Sequence, residues 1–384
     1  FMESTIMRTG NSRIKIRVSL LAMLVTLFAL AILVPVCAHA ATLSNSYFNI
    51  EIGNYGEISS LRITGDTYPT NYVMNAQNAP NQNTAGHQWM GELMFAYKLG
   101  SASNYTLAYT QSSNDARRIT RSGNTVTVTY ENSSNSRGIR NFRVVEQYSL
   151  IDDYFYWSTT VTNTSSQTLT IGDWGYPLPF NEFWTGGDRI YETRAVDHSF
   201  TGKNSSYIWV TRPSGIGPFL LMVPDTSTGA GFEYQDHWRT QEHPDSSERN
   251  WCQDQGGWQN GLNVFYIHSD NIKSTNRGYL PNTYLTLAPG QSKTYAFKFF
   301  KVTSEEDMKN RMYQEGLIDV NVVPGMIITT ETKAKLDLHT FKTINSITPQ
   351  YPSQTTITSL GTVGTNHKLY EIQMTRLGHN NLVI

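Results

Sequence analysis

The chain has 384 residues, of which 39% are hydrophobic, 12% aromatic and only 16% charged, with a formal net charge of −1. That length accommodates two or three domains with a real core, and rings in this number with so little charge rule out a disordered chain. They also argue against a nucleic-acid binder, which needs a basic footprint to displace counterions from phosphates.

In chain order, the first forty residues read as an address. Arg8, Arg13, Lys15 and Arg17 precede an apolar run from Val18 to Val34, Pro35 breaks it, and Ala38-His39-Ala40 is a small-x-small cleavage site. Met7 is a plausible true start, and cutting is expected after Ala40 or one residue later. The competing reading is an uncleaved anchor, since the run is long enough to span a bilayer. Either way the protein is expected to be secreted or displayed on the cell surface, with no stable membrane span once the signal is cut. Cys37 leaves with the signal, so Cys252 stands alone and stability must come from burial rather than from disulfides. Asn104, Asn132, Asn163 and Asn204 each begin an Asn-x-Ser/Thr sequon.

Short apolar-polar alternations then recur: Tyr47 to Ile52, a Gly53-Asn54-Tyr55-Gly56 turn, and Ile58 to Ile63. Further runs are Thr125 to Tyr130, Phe142 to Leu150, Tyr154 to Val161, Leu169 to Ile171, Ile208 to Thr211 and Phe219 to Val223. Val264 to Ile267, Tyr284 to Leu287 and Tyr295 to Val302 complete the series. Period-two patterning with β-branched and aromatic residues, punctuated by Gly, Asn, Asp and Ser, predicts antiparallel strands. So many strands need two large stacked sheets. Leu287-Ala288-Pro289-Gly290-Gln291-Ser292 is a tight turn into the strand ending at Val302. Ser304 is the expected N-cap of one helix, with Asp307 in the capping-box position, Met308, Met312 and Leu317 on its apolar side and Gly316 at its end. All eight Trp lie between Trp89 and Trp258, and the tail changes character. Met326 to Thr330, Lys333 to Leu338, Thr355 to Ile357 and Lys368 to Met374 predict a second, small β-sandwich. The expected fold class is all-β: a β-supersandwich over 43–302, a linker helix over 303–318 and a small β-sandwich over 320–384. The last of these stops partway into a strand, so the chain is expected to be the front part of a longer protein.

The densest polar-aromatic run is Asp173 to Trp184. Pro177 and Pro179 stiffen it and disfavour a central strand, which predicts a rim loop presenting Trp174, Tyr176 and Trp184 beside Asn181 and Glu182. Aromatic faces stack on the C–H faces of sugars, and carboxylates or amides bind their hydroxyls; the alternative is a loop whose rings are buried. Next, His198 titrates nearest neutrality, and with Tyr207, Arg194 and Arg212 it supplies the base and the charge-neutralising groups that uronate elimination needs. A lone His among strands is otherwise a hydrogen-bonded structural residue. His237, Glu242 and His243 have metal-ligand types, but their spacing fits no strong motif, and no metal or cofactor is expected. Asp188, Glu192, Asp236 and Glu242 are candidates for a carboxylate pair. Trp251 and Trp258 offer either stacking surface or packing.

Several stretches together resemble a known family. Phe48 to Ile52 followed by Gly56-Glu57-Ile58-Ser59-Ser60-Leu61 resembles the opening of galactose-mutarotase-like β-supersandwich domains. Gly172 to Glu182, Ser206-Tyr207-Ile208, Arg212-Pro213-Ser214-Gly215 and Pro218 to Pro224 continue the likeness. Glu315-Gly316-Leu317 and Val323-Pro324-Gly325-Met326 extend it to a family of large secreted microbial proteins of uncharacterised type. In that family a supersandwich and a small β-domain precede a helical toroid, as in polysaccharide lyases and six-hairpin glycosidases.

The resemblance implies the N-terminal β part of an extracellular polysaccharide lyase or glycoside hydrolase, inactive where the toroid is missing, with polysaccharide or oligosaccharide as partner. The site residues expected are His198 and Tyr207 for catalysis and Trp174, Asn181, Glu182, Trp184 and Arg212 for substrate. Two rivals stand beside it. One is a non-catalytic glycan-binding or cell-surface module; the other is a mutarotase-like epimerase pairing His198 with Glu233.

Overall fold

Burial alternates along the strands as the sequence alternates, and that alternation builds the sheets. The computed structural model describes residues 41–75, 90–110, 116–182, 189–237, 263–273 and 280–384. The expected signal segment, Trp184, Glu242, His243, Trp251, Cys252 and Trp258 lie outside them.

The chain opens with β1 (Ala41–Ser44), β2 (Phe48–Ile52) and β3 (Ile58–Ile63), then β4 (Met94–Leu99) and β5 (Thr106–Tyr109). Two long hairpins follow: β6 (Arg117–Ser122) with β7 (Thr125–Tyr130), and β8 (Phe142–Ile151) with β9 (Tyr154–Asn163). Their two-residue turns place Gly123 (φ 55°) and Asp152 (φ 46°) in the left-handed region, the backbone that matches strand twist. After β10 (Leu169–Pro177) and a single turn, α1 (Ile190–Thr193), come β11 (Val196–Phe200), β12 (Tyr207–Thr211), β13 (Phe219–Pro224) and β14 (Tyr234–His237). β15 (Asn263–Ser269), β16 (Leu285–Leu287) and β17 (Ser292–Val302) lead to helix α2 (Glu305–Gln314). The tail holds β18 (Asp319–Val323), β19 (Ala334–His339), β20 (Thr348–Pro349), β21 (Thr355–Val363), β22 (His367–Met374) and β23 (Leu382–Val383).

Among the described residues these strands form an eight-stranded sheet, β11-β12-β13-β17-β9-β8-β7-β6, and a six-stranded sheet, β14-β15-β10-β4-β5, with β16 also on β10. One hydrophobic cluster joins their inner faces to the three-stranded β1-β2-β3 sheet. The all-β supersandwich expected from the sequence is therefore the fold. Helix α2 covers the outer face of the eight-stranded sheet, where Met308, Met312 and Leu317 pack on Phe219, Leu221, Phe300 and Val302. Its cap is as expected: Ser304 Oγ accepts from Asp307 N at 3.1 Å, Thr303 N donates to Asp307 Oδ2 at 2.8 Å, and Gly316 turns out at φ 75°. In the tail, β18-β19-β22-β21 and the pair β20-β23 share a core of Leu336, Leu338, Ile372, Ile347 and Leu382.

Two local expectations are corrected. Residues 173–177 are not a rim loop but the second half of β10, a central strand between β15 and β4. Pro177 is compatible with this because it is the last residue of the strand, where its missing N–H breaks no continuing ladder. Trp174 turns inward and is 0% exposed, edge-on to Tyr295 at 5.0 Å and 5.4 Å from Phe95. Tyr176 meets Trp157 at 5.3 Å and Phe297 at 5.4 Å. Burying rings of this size in edge-to-face contact outweighs any stiffness the prolines impose. Gly175 stands on the opposite face, where a Cβ would come within 2.9 Å of the Tyr266 ring. The strand expected from Met326 to Thr330 is absent: after Pro324 the backbone turns at Gly325 (φ 158°), and Ile327 is 96% exposed. The Asn163 sequon is also closed to a glycan, since its buried Nδ2 donates to Gln167 O at 2.8 Å and Leu287 O at 2.9 Å.

Candidate functional site

Beyond β10, residues Leu178–Glu182 are pinned against an earlier segment. Met74 N donates to Pro179 O, Asn181 N to Tyr72 O, and Val73 bridges Phe180. Asn181 is itself a strut: buried, with Nδ2 on Asn71 O at 2.9 Å and on Thr193 O at 3.3 Å. This correction removes it from the sugar-binding groups, but it fixes where the next residue points.

That residue, Glu182, meets Asp197 of β11. Asp197 N donates to Glu182 Oε1 at 2.8 Å, and the two side-chain carboxyls are hydrogen-bonded partners. Burial first, and then the neighbouring carboxyl, push Glu182 well above the usual carboxylate range. Glu182 keeps its proton under conditions in which isolated carboxyls have lost theirs. Asn263 at the start of β15 donates through Nδ2 to Asp197 Oδ1 at 3.3 Å, and Ser199 Oγ donates to Gln235 Oε1 at 2.9 Å. The edge strand of one sheet, β11, therefore faces the edge strand of the other, β14, across polar groups that run from buried Asn263 to exposed Ser199. Asp197 sits there because β11 pairs with β12 so that Asp197 opposes Val210 and Ser199 opposes Ile208, both core residues.

The other face of the same hairpin points outward. His198 opposes Trp209 and Phe200 opposes Tyr207. The His198 ring lies 5.7 Å from Trp209, the Phe200 ring 6.0 Å from Tyr207, and Trp209 rests edge-on against Phe219 at 5.6 Å. His198 is exposed, with Thr211 Oγ1 3.4 Å from its Nε2; Phe200, Tyr207 and Trp209 are half-buried. Burial, ahead of the charge on Asp319, raises the Tyr207 hydroxyl. His198 and Tyr207 thus share a face but oppose different partners, and Glu182 lies on the opposite face.

The remaining expected residues have other duties. Arg212 is 1% exposed and is not a substrate ligand. It forms a buried ion pair with Asp66, donates to Thr70 Oγ1 at 2.7 Å and Ile216 O at 2.7 Å, and lies 5.0 Å from the Tyr68 ring. Trp174 is in the core, as described, so it offers no face to a sugar.

Glu233 does not partner His198. Its buried carboxylate accepts from Ser269 Oγ at 2.5 Å, Thr283 N at 2.8 Å, Thr283 Oγ1 at 2.7 Å and the Lys203 ammonium. Since the Thr283 hydroxyl donates to Glu233, it accepts from His268 Nδ1 at 2.8 Å, which leaves Nε2 to accept from Tyr295 OH at 2.8 Å. His268 is therefore a neutral Nδ1–H imidazole, and burial accordingly lowers it to about 4. With every oxygen claimed by a donor, Glu233 fastens strands together rather than awaiting a substrate.

Sequence reasoning missed Asp197 as a partner and His268 altogether. A cue existed for Asp197: alternation along Val196–Phe200 puts it on the inward face, where an acid needs a partner. His268 carried no comparable signal inside the apolar run Val264 to Ile267.

Compared with solved structures, the chain is similar to the polysaccharide lyase BACCELL_00875, at 16% identity and a TM-score of 0.61 over 87% of this chain and 43% of the lyase. It spans less than half the length of that lyase, and the likeness establishes a shared fold. Galactose mutarotase-like structures also align. One is a related enzyme from Lactobacillus acidophilus (11% identity, TM-score 0.42, 70% of this chain and 98% of that one). Another is from Lactobacillus casei ATCC 334 (14% identity, TM-score 0.41, 68% and 99%). No curated protein matches the sequence. Among the described residues no helix is long and apolar enough to cross a membrane. The family of unknown function DUF5695 matches residues 60–384, and the chain belongs to it.

Proposed function

We propose that this chain is the β part of an extracellular protein that acts on polysaccharide, with the β11–β12 hairpin as its glycan-contacting element. The observation that carries the reading is Glu182 beside Asp197: two half-buried carboxyls at an edge where the two sheets meet, the first held well above the usual carboxylate range by burial and by its neighbour. Elimination and hydrolysis of a glycosidic link both need a proton delivered to the leaving oxygen. A carboxyl held protonated toward neutral pH is suited to that delivery. The fold shared with a polysaccharide lyase supports a carbohydrate as substrate, and the basic residues and apolar run ahead of Ala38-His39-Ala40 in the sequence support export.

The test is the full chain against a panel of acidic and neutral polysaccharides, reading unsaturated uronate absorbance and new reducing ends separately. Glu182→Gln keeps the shape and removes the titration. It is expected to lower kcat at least about 100-fold while leaving the affinity for oligosaccharide within about twofold. Unchanged binding with no turnover in either protein would favour the binding-module reading. Absence of any glycan that binds would overturn the carbohydrate assignment.

A further inference from the structure

A feature remote from the β11–β12 hairpin joins helix α2 to the C-terminal sheet. Tyr313 of α2, His339 at the end of β19 and His367 at the start of β22 form a three-ring stack. The Tyr313 and His339 centroids are 4.7 Å apart at 14°, and those of His339 and His367 are 4.0 Å apart at 2°. His339 is the middle ring. Strand register enforces this, because His339 opposes His367 directly, and Asp319 of β18 opposes His339 from the other side. The stack is held at its Tyr313 end: Asn366 Nδ2 donates to Tyr313 OH at 2.6 Å, and Phe341 meets Tyr313 edge-on at 5.4 Å.

The charges around the stack are unequal. His367 Nδ1 lies 2.8 Å from Asp337 Oδ2, so a charged His367 is a donor to that carboxylate. Asp319 is drawn toward Lys309 of α2 as well as toward the two imidazoles, and Lys309 also pairs with Glu305 at 3.1 Å. No carboxylate is therefore dedicated to His339. Burial and the charge on His367 hold His339 below its ordinary value, against the weaker pull of Asp319 and Asp337.

We propose that the Tyr313–His339–His367 stack is an acid-sensitive latch between α2 and the C-terminal sheet. It stays closed while at most one imidazole is charged and opens when both are. Two parallel imidazolium rings at 4.0 Å repel through their faces, and Asp337, paired with His367, balances only one of them. Opening frees Tyr313, and with it the C-terminal sheet, from the helix. The large sandwich would not open with it, because its buried Glu146, Asp173 and Glu182 are all easier to bury when protonated.

Histidine-resolved NMR of the full chain during acidification tests this, together with small-angle scattering at about pH 7 and about pH 4.5. His339 is expected to titrate below its ordinary value. The ring-current shifts of Tyr313 should disappear, and the particle should expand, as His339 takes its proton. His339→Phe keeps a ring in the stack and removes its charge, so it should stay closed at the acid end. If that variant does not fold, His367→Gln decides, since it removes one of the two charges and should also keep the latch closed. A His339 titrating at its ordinary value, or wild-type opening in whichever of these variants folds, would overturn the proposal.

Discussion

Replacing Trp174 by alanine is expected to cost about 3–5 kcal/mol of stability while leaving glycan affinity of the folded protein unchanged. The ring is sealed at 0% exposure between Phe95 and Tyr295 on the inner face of a central strand. Its removal therefore opens a cavity that the surrounding sheets cannot close. Denaturant unfolding reads the stability, and calorimetry with oligosaccharide on the folded variant reads the affinity. Trp174→Phe should recover part of the loss, since an aromatic ring still faces Tyr295. Selective loss of binding with normal stability would return Trp174 to a sugar-facing rim and contradict its place in the core.

Stability itself should fall as pH rises from about 4.5 to about 8, and Glu146→Gln should remove much of that slope. Glu146 is fully buried on the inner face of β8, where its Oε1 accepts from Trp157 Nε1 at 3.0 Å. Burial raises it from an ordinary 4.5 to about 8. Between those values the folded state keeps a proton that the unfolded chain has released. The contribution is thus complete below the unfolded pKa and declines as pH rises through the window to the folded one. A shift of this size corresponds to several kcal/mol. Asp173, raised by burial to about 7, and Glu182 add slopes of the same sign. Glutamine can still accept from Trp157 and carries no titration, so chemical denaturation across pH should give a flatter profile and a higher midpoint at about pH 8. Parallel profiles for the two proteins would show that Glu146 is charged in the native state.

The strands legible in the sequence were those whose alternation is strict and whose turns carry their own chemistry. Thr125–Tyr130 is found as expected, and Pro289-Gly290 turns the chain with Gly290 at φ 78°. The Ser304 cap was equally local and equally legible. Errors arose where a local cue competed with a nonlocal one. The prolines at 177 and 179 argued for a loop, but five residues ahead of them belong to a strand that the aromatic core needs. Arg212 beside Pro213 suggested an exposed ligand, while its partner Asp66 lies 146 residues away in sequence. No window contains both. Glu182 and Asp197 lie within fifteen residues of each other, yet only the pairing of β11 with β12 turns the second toward the first. The ring stack at Tyr313, His339 and His367 depends on three elements and had no local signature.

The central claim is that Glu182, beside Asp197, holds its proton where the two sheets meet. Carboxyl-carbon NMR of Glu182 in the full chain, followed from acid to alkaline pH with and without oligosaccharide, measures it directly. The account predicts a Glu182 carboxyl still protonated at neutral pH, with a midpoint that moves when sugar is added. A Glu182 that titrates at the ordinary carboxylate value of 4.5 and ignores added sugar would contradict it.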